Sequence, residues 1–220
     1  MADDEDDEVV FYTNPMSRGR IVRWMLEEVG RPYRAELLEY GPAMKAPAYR
    51  AVNPMGKVPA IRHRGVVVTE AAAICAYLAD AFPGAGLAPP PGDPRRGPYF
   101  RWMFFAAGPL EAAVTNRALG FAVPEGREGT AGYGSHADVM QALETAVSGG
   151  GYVAGGGFTA ADLYLGSHIG WGLAFGTIEK RPAFERYWER VAARPAALRA
   201  RAIDDALIAE QRRQARTPAQ

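Results

Sequence analysis

Two short segments carry residue types whose spacing suggests a binding site. Val58 precedes Pro59 at the start of a short apolar run, and proline, which cannot donate to a strand ladder, belongs at a strand start, an edge or a turn. A cis form of this bond, which costs about 0.5–1 kcal/mol, would turn the Val58 N–H and C=O outward. Glu70 and Ala71 then open a helical pattern, and a helix N-terminus attracts anions. Together the two segments predict a site for a small peptide with carboxylates.

The elements that must position these residues follow from the pattern of apolar residues. A β-type run comes first, followed by a helix whose apolar residues share one face and which Gly30 ends as a C-cap. A turn at Arg64 and Gly65 joins two short strands into an antiparallel hairpin. The predicted order is therefore β-α-β, loop, β-β-α. The predicted bounds are 9–13 (strand), 17–29 (helix), 33–38 (strand), 41–51 (loop or irregular helix), 60–62 and 66–68 (hairpin) and 70–82 (helix).

The composition changes after this first region. Residues 83–98 contain six prolines and four glycines, which predicts a linker. After the linker, clear β alternation is absent and the pattern predicts helices. We expect an α/β domain at 9–82 and an all-helical domain at 99–214, with an acidic disordered tail at 1–8 and a second tail at 215–220. The predicted helices are about 99–118, 134–148, 160–175, 183–193 and 196–214, with a Gly-rich loop at 120–133.

Bulk composition excludes several classes of function. The 25 basic and 25 acidic residues give zero net charge, so no global field favours nucleic acid or an anionic membrane. The single cysteine, Cys75, excludes an internal disulfide and a multi-cysteine metal site, and the three histidines are widely spaced. No apolar run approaches the roughly 20 residues of a transmembrane helix, and the acidic N-terminus is unlike a signal peptide. We expect a chain of the reducing cytoplasm that holds no metal.

The motif at residues 53–61, followed by 69–74, resembles that of the glutathione S-transferase family. A second match is the capping box of Thr159 and Asp162, which in the family nucleates a buried central helix. The resemblance covers about residues 9–214 and is to cytosolic, bacterial-like members. It implies a thioredoxin-like N-terminal domain, an all-α C-terminal domain, glutathione as co-substrate and a homodimer.

The resemblance implies a role for each residue of the predicted binding site. The main chain of Val58, with Pro59 following it, would pair with the cysteinyl unit of glutathione. Glu70 would pair with the α-amino group of the γ-glutamyl unit, and the Ala71 N–H would bind its carboxylate. The family usually carries Ser or Thr at Ala71, and losing a bond worth about 1.5–3 kcal/mol would weaken binding roughly ten- to a hundredfold, unless an arginine substitutes. The glycine-end carboxylate would meet either Lys45 or Lys57. Both lysines could equally be solvated on the surface, which is the commoner place for a lysine.

The implied catalytic task is to hold glutathione as a thiolate. A free thiol has a pKa of about 8.5, and one charge-assisted hydrogen bond lowers that pKa by roughly one to two units. Ser17 matches the serine-type members of the family, Arg18 is the runner-up for stabilising the thiolate, and Tyr12 and Asn14 are further candidates. Ser17 equally suits an ordinary N-cap. Arg18, Arg20 and Arg23 oppose the helix dipole, which is easier to understand if at least one of them faces an anionic ligand.

A hydrophobic electrophile would bind in an apolar pocket beside the thiolate. The first strand and the turn after it offer Tyr12 and Asn14, although a core or edge role is the commoner one for Tyr12. The stretch 99–105 contains five aromatics and offers Trp102 and Phe105. No helix can bury all five on one stripe, so some of them must face the pocket or a partner subunit.

The sequence leaves three functions open. The first is a transferase that conjugates glutathione to a hydrophobic electrophile. The second is a non-catalytic binding or regulatory module on the same fold, which the departure at Ala71 mildly favours. The third is a glutathione-dependent oxidoreductase. It ranks last because that chemistry needs a nucleophilic cysteine near residue 17, and the sequence has none there. Cys75 lies in an Ala-rich apolar run, where a buried, inert thiol is expected.

Overall fold

The computed structural model describes residues 8–216, which form two compact units. The first unit contains residues 8–85 and 195–216, and the second contains residues 86–194. The predicted tails at 1–8 and 215–220 lie mostly outside the described residues. Within the described part, residues 215 and 216 belong to the last helix instead of a tail.

A four-stranded mixed sheet forms the centre of the first unit, with the strand order β2-β1-β3-β4. β1 pairs in parallel with β2 and antiparallel with β3, and β3 pairs antiparallel with β4. Because β1 is a central strand, its residues Val9, Val10 and Phe11 are buried. The strands are β1 (Val9–Thr13), β2 (Tyr33–Leu37), β3 (Ala60–His63) and β4 (Val66–Thr69).

Four helices connect or follow these strands. α1 buries one apolar face and ends at Gly30, which adopts the left-handed conformation (φ 69°) expected of a C-cap. The region predicted as a loop or irregular helix contains two four-residue helices, each beginning with a proline. A 3₁₀ turn, Pro83–Ala85, follows α4. The helices are α1 (Gly19–Val29), α2 (Pro42–Lys45), α3 (Pro47–Arg50) and α4 (Ala71–Ala81).

The last helix of the chain, α10 (Pro195–Arg216), belongs to the first unit. The prediction had placed it in the all-helical domain at 99–214, so the structure differs here. α10 packs on α1 with Ala196, Ala197 and Ala200 buried. The sequence gives little sign of this arrangement, since small residues and paired charges, and not a broad apolar stripe, make the contact.

The second unit begins with a helix that the sequence predicted at about 99–118 as a single element. The structure divides it into α5 (Arg96–Phe105), a π-helical segment (Ala106–Leu110) and α6 (Glu111–Ala118). Pro109 lies in the π-helical segment, and proline removes a backbone donor and clashes with the preceding turn. The start of α5 at Arg96 also shortens the predicted linker at 83–98, because proline and glycine are tolerated in the first turn of a helix.

Three further helices complete the second unit: α7 (His136–Val147), α8 (Ala160–Phe175) and α9 (Pro182–Ala192). α8 is buried along most of its length and packs closely on α9. A Cβ at Gly166 would lie 2.7 Å from Val191, and one at Gly170 would lie 2.5 Å from Trp188, so only glycine allows this approach. The predicted capping box of Thr159 and Asp162 is present at the start of α8.

The mixed sheet with its helices and the separate helical unit confirm the predicted fold class, an α/β thioredoxin-like domain with an all-α second domain. Among residues 8–216, no helix is long and apolar enough to cross a membrane.

Candidate functional site

The predicted site lies at one end of the sheet in the first unit. Ala60 of β3 is opposite Tyr12 of β1 and opposite Thr69 of β4. Pro59, which precedes β3, therefore lies beside Glu70, which follows β4. α1 follows the end of β1 and α4 follows the end of β4, so both helices begin at this edge of the sheet.

The N-termini of α1 and α4 give this edge a positive character. Each helix has 11 residues and neither has an acidic residue in its first turn. Their first N–H groups have no partner within the helix, and the macrodipoles place partial positive charge at the same end. An anion at this edge would be stabilised by both helices.

Val58 and Pro59 are joined by a cis peptide bond, as the sequence predicted. Val58 is half-buried, and in residues 8–216 no turn or loop hydrogen bond uses its main chain. The preceding carbonyl, that of Lys57, accepts hydrogen bonds from the Tyr49 hydroxyl and the Asn53 side-chain amide, each at 2.7 Å. These bonds hold the segment in place, while the Val58 N–H and C=O remain available to an extended ligand. Burial is the main reason that the pKa of Tyr49 is raised to about 12.

Glu70 occupies the N-cap position of α4 with φ 67° and ψ 118°. Its side chain is exposed and does not cap the helix. A non-glycine residue in this region of φ/ψ is strained by about 1–3 kcal/mol, and such strain is concentrated at functional sites. Ala71, the first residue of α4, is buried and provides a backbone N–H without a side-chain hydroxyl.

The two candidate lysines have different surroundings. The Lys45 ammonium donates to the carbonyls of Met55 and Gly56, each at 2.9 Å, and so closes the turn before Val58. The Lys57 side chain is exposed, and its ammonium has no hydrogen bond or ion pair with another described residue. The structure thus gives Lys45 a role in holding the segment, whereas the Lys57 side chain extends into solvent.

Ser17 lies in the turn between β1 and α1, which we call the 14–18 loop. Its hydroxyl donates to the Asn14 carbonyl at 2.7 Å and accepts from the Gly19 N–H at 2.9 Å. This arrangement matches the capping alternative for Ser17, with the hydroxyl one residue before the assigned N-cap, Arg18. Arg18 is exposed at the start of α1.

Asn14, which the sequence offered for the electrophile pocket, makes two side-chain hydrogen bonds that hold the 14–18 loop. Its side-chain amide donates to the Leu38 carbonyl at 2.8 Å, and its side-chain oxygen accepts from the Met16 N–H at 2.9 Å. Because the residue is also buried, both polar ends of the side chain are used inside the protein.

The first-turn arginines of α1 do not all face a ligand. The Arg20 guanidinium pairs with Asp205 at 2.8 Å, and the buried Arg23 guanidinium pairs with Asp204 at 2.8 Å. Both carboxylates belong to α10. The conflict with the helix dipole is therefore offset within the protein for these two residues.

The remaining predicted residues are placed as follows. Tyr12 is half-buried, with its ring centroid 5.8 Å from that of Tyr49. In the second unit Trp102 is 7% exposed and contacts Phe105 edge-on, whereas Phe105 is half-buried. Cys75 is buried, as expected, and burial raises the pKa of its thiol. In the part of the chain from 8 to 216, no group of three or more His, Cys, Asp or Glu residues could hold a metal ion.

Sequence reasoning missed the residues that support the site. Asn53 holds Lys57 and also accepts from the Met55 N–H at 3.0 Å, a local turn that Asn-Pro predicts. The Tyr40 hydroxyl donates to the Met16 carbonyl at 3.3 Å, and no sequence signal indicates this contact.

Comparison with known proteins decides the family. A model of the glutathione S-transferase N-terminal domain matches residues 16–81, and one of the glutathione S-transferase C-terminal domain matches residues 131–195. Glutathione S-transferase GstA of Escherichia coli O157:H7 is 30% identical over 164 residues, which are 74% of this chain and 78% of GstA. The chain belongs to the glutathione S-transferase family. Two other curated relatives match this chain over shorter segments, which are 18% and 42% of the relatives' own lengths.

Solved structures of glutathione S-transferases have the same fold. A glutathione transferase from Methylococcus capsulatus str. Bath is 28% identical, with a TM-score of 0.74 over 90% of this chain and 98% of that one. A sphingomonad glutathione S-transferase complexed with glutathione is 27% identical, with a TM-score of 0.72 over 89% and 98% of the two chains.

Proposed function

We propose that this protein binds glutathione at the sheet edge of its first unit and conjugates the thiolate to a hydrophobic electrophile. The observation that carries the proposal is the register of the sheet. The pairing of Ala60 with Thr69 brings Pro59, and the main chain of Val58 before it, to the same sheet edge as Glu70 and the N-terminus of α4. An extended peptide with an amino group and a carboxylate at one end matches these groups. The sphingomonad relative complexed with glutathione supports this choice of ligand.

Each part of glutathione would meet a different kind of group. The cysteinyl unit would form strand-like hydrogen bonds with the main chain of Val58. The γ-glutamyl carboxylate would accept from the first N–H groups of α4, and its ammonium would pair with Glu70. Lys57 would pair with the glycine-end carboxylate, since the ammonium of Lys45 is already bonded to two carbonyls.

The thiolate would form at the start of α1. The Ser17 hydroxyl would donate a hydrogen bond to the sulfur instead of to the Asn14 carbonyl. It would continue to accept a hydrogen bond from the Gly19 N–H. The α1 dipole and the Arg18 guanidinium would add to the stabilisation. The thiol loses its proton to solvent, and a sulfur lone pair then forms the bond to the electrophilic carbon, which releases its leaving group with the bonding pair.

Calorimetric titration with glutathione tests the binding part of the proposal. We expect the Glu70→Gln variant to bind about tenfold or more weakly than the wild type, because a charge-assisted bond of about 1.5–3 kcal/mol is lost. Glu125→Gln, a matched change at an exposed site in the second unit, should leave binding unchanged. No heat with millimolar glutathione and the wild type would contradict the proposal.

A conjugation assay over several electrophiles, combined with ultraviolet absorbance of the thiolate, tests the catalytic part. Ser17→Ala should raise the pKa of bound glutathione by roughly one to two units. Because the same change removes a cap bond worth about 0.5–2 kcal/mol, unfolding is measured alongside. If only Arg18→Ala raises the pKa, Arg18 is the stabilising residue and Ser17 is a cap.

A non-catalytic binding module is the second candidate, favoured by the missing hydroxyl at Ala71 and by the engaged hydroxyl of Ser17. Glutathione binding without a thiolate at neutral pH would support it. We further propose a cytoplasmic homodimer, for which Phe104, 71% exposed in the second unit, is an available apolar contact. Light scattering that finds only a 23.7 kDa species would contradict the dimer.

A further inference from the structure

Three ion pairs connect α10 to α1 within the first unit. Arg20 pairs with Asp205, and the buried Arg23 pairs with the buried Asp204, both at 2.8 Å. At the other end of α1, Glu27 pairs with Arg199 at 3.0 Å. The three residues of α1 lie on one helical face, since they are three and four positions apart. The contact is therefore antiparallel, and the adjacent acids of α10 lie at the end where α1 begins.

Arg20 also contacts the 14–18 loop. One guanidinium nitrogen, Nη2, donates to Asp205 Oδ1 at 2.8 Å, and the other, Nη1, donates to the Pro15 carbonyl at 3.3 Å. A guanidinium is planar and rigid, so fixing one nitrogen fixes the direction of the other. Asp205 therefore determines where Arg20 can hold the loop.

The other carbonyls of the 14–18 loop are held from within the first half of the chain. The Asn14 carbonyl accepts from Ser17, and the Met16 carbonyl accepts from the Tyr40 hydroxyl at 3.3 Å. The Pro15 carbonyl is the point at which the C-terminal helix reaches the loop, through one arginine.

We propose that Asp205 of α10 is a positioning residue for the thiolate site and acts through Arg20 on the loop that carries Ser17 and Arg18. The inference rests on the proposed function. It assigns the final helix a role in the reaction geometry, although Asp205 touches neither glutathione nor the electrophile. Arg20 and Asp205 are 25% and 58% exposed, so the pair adds little to stability and its loss leaves a folded protein.

The sign of one measurement separates positioning from direct electrostatics. Asp205→Asn removes a negative charge, and by Coulomb's law alone this favours the thiolate and lowers the pKa of bound glutathione. Loss of positioning has the opposite effect, because the donors of the 14–18 loop are no longer held toward the sulfur. We expect the pKa to rise by about half a unit or more and kcat/KM for conjugation to fall on the order of tenfold.

Two further variants make the test specific. Arg199→Gln breaks the pair with Glu27 at the far end of the same two helices, and we expect the thiolate pKa and kcat/KM to remain those of the wild type. The double variant Arg20→Asp with Asp205→Arg restores the ion pair, but position 20 then has no donor for the Pro15 carbonyl. We expect this double variant to be about as stable as the wild type and to keep the raised pKa of bound glutathione.

The outcomes divide as follows. An unchanged or lowered pKa in Asp205→Asn overturns the inference, and so does a charge reversal that restores the pKa of the wild type. A wild type that binds glutathione but forms no thiolate at neutral pH contradicts both the proposed function and this inference. The inference is supported if the pKa of bound glutathione rises in Asp205→Asn and stays at the wild-type value in Arg199→Gln.

Discussion

Glu70 is strained in its backbone and exposed in its side chain. With φ 67° it occupies a region that costs a non-glycine residue about 1–3 kcal/mol, and its carboxylate makes no capping bond. The proposed role in binding the γ-glutamyl ammonium gives a reason for keeping a carboxylate at a strained position.

Replacing Glu70 by glycine should separate stability from binding. Glycine adopts positive φ readily, so we expect Glu70→Gly to stabilise the protein by about 0.4–1 kcal/mol and to weaken glutathione binding. Urea unfolding and calorimetry measure the two effects. Glu70→Ala, which keeps the strain, is the control; a variant that loses stability on the change to glycine would show that the side chain itself supports the fold.

At Gly19 the start of α1 lies close to the end of β1. A Cβ there would lie 2.0 Å from Thr13 Oγ1, a buried atom at the end of the strand. We expect Gly19→Ala to lower the free energy of unfolding by about 1–3 kcal/mol, measured by urea titration. Gly97→Ala, at a helical site with nothing within 4 Å, should be neutral or stabilising. Equal losses in the two variants would contradict this view.

At the scale of elements, Asp162 connects three parts of the second unit. Its carboxylate accepts from the Thr159 N–H at 2.9 Å, the Val153 N–H at 2.8 Å and the Tyr187 hydroxyl at 2.7 Å. The start of α8, the loop before it and α9 therefore meet at one fully buried carboxylate. Burial, with a smaller contribution from Asp162, holds the pKa of Tyr187 well above its usual value.

Removing this carboxylate should destabilise the second unit more than removing any one donor. We expect Asp162→Ala to cost about 3 kcal/mol or more, because the buried donors lose their acceptor. Tyr187→Phe removes one hydroxyl and should cost about 1–2 kcal/mol. Thermal unfolding followed by circular dichroism compares the two variants, and a loss of stability in Tyr187→Phe as large as that in Asp162→Ala would contradict the prediction, because the phenylalanine variant keeps the ring and lacks only the hydroxyl.

The elements that the sequence predicted well are those whose signals are local. Gly30 marked the end of α1, and the Thr159–Asp162 box marked the start of α8, because caps depend on a few neighbouring residues. The cis bond before Pro59 was likewise predictable from a motif. The π-helical segment at 106–110 and the role of Asn14 were not, since both depend on contacts made after folding.

At the scale of the whole molecule, the main difference from the sequence-based prediction is the return of α10 to the first unit. Its charged residues could have suited any solvated helix face. Only the structure shows that Asp204 is buried against Arg23, a residue 181 positions earlier in the chain. No local pattern can indicate such a partner, so the arginines of α1 could not be assigned from the sequence.

The buried pair between Arg23 and Asp204 should dominate the stability of this contact. Asp204→Ala leaves the guanidinium of Arg23 buried without its carboxylate, and we expect a loss of about 3–5 kcal/mol in the free energy of unfolding. Asp205→Ala, at the neighbouring exposed pair, should cost about 1 kcal/mol or less. Similar losses in the two variants would contradict the prediction.

An apolar replacement of the buried pair gives the complementary result. Arg23→Met combined with Asp204→Leu removes both charges together, so the unfolding free energy should stay close to that of the wild type or rise. If the free energy of unfolding falls as much in the double variant as in Asp204→Ala, altered packing and not the unpaired charge causes the loss.

The placement of α10 has a consequence for the order in which the protein is finished on the ribosome. Domains generally fold as they emerge, the N-terminal one first. Here residues 86–194 leave the ribosome complete before residues 195–216 do, so the region translated first is the one completed last. Until then, Arg23 of the nascent chain lacks its partner Asp204, and chaperones would encounter this unit before α10 covers α1.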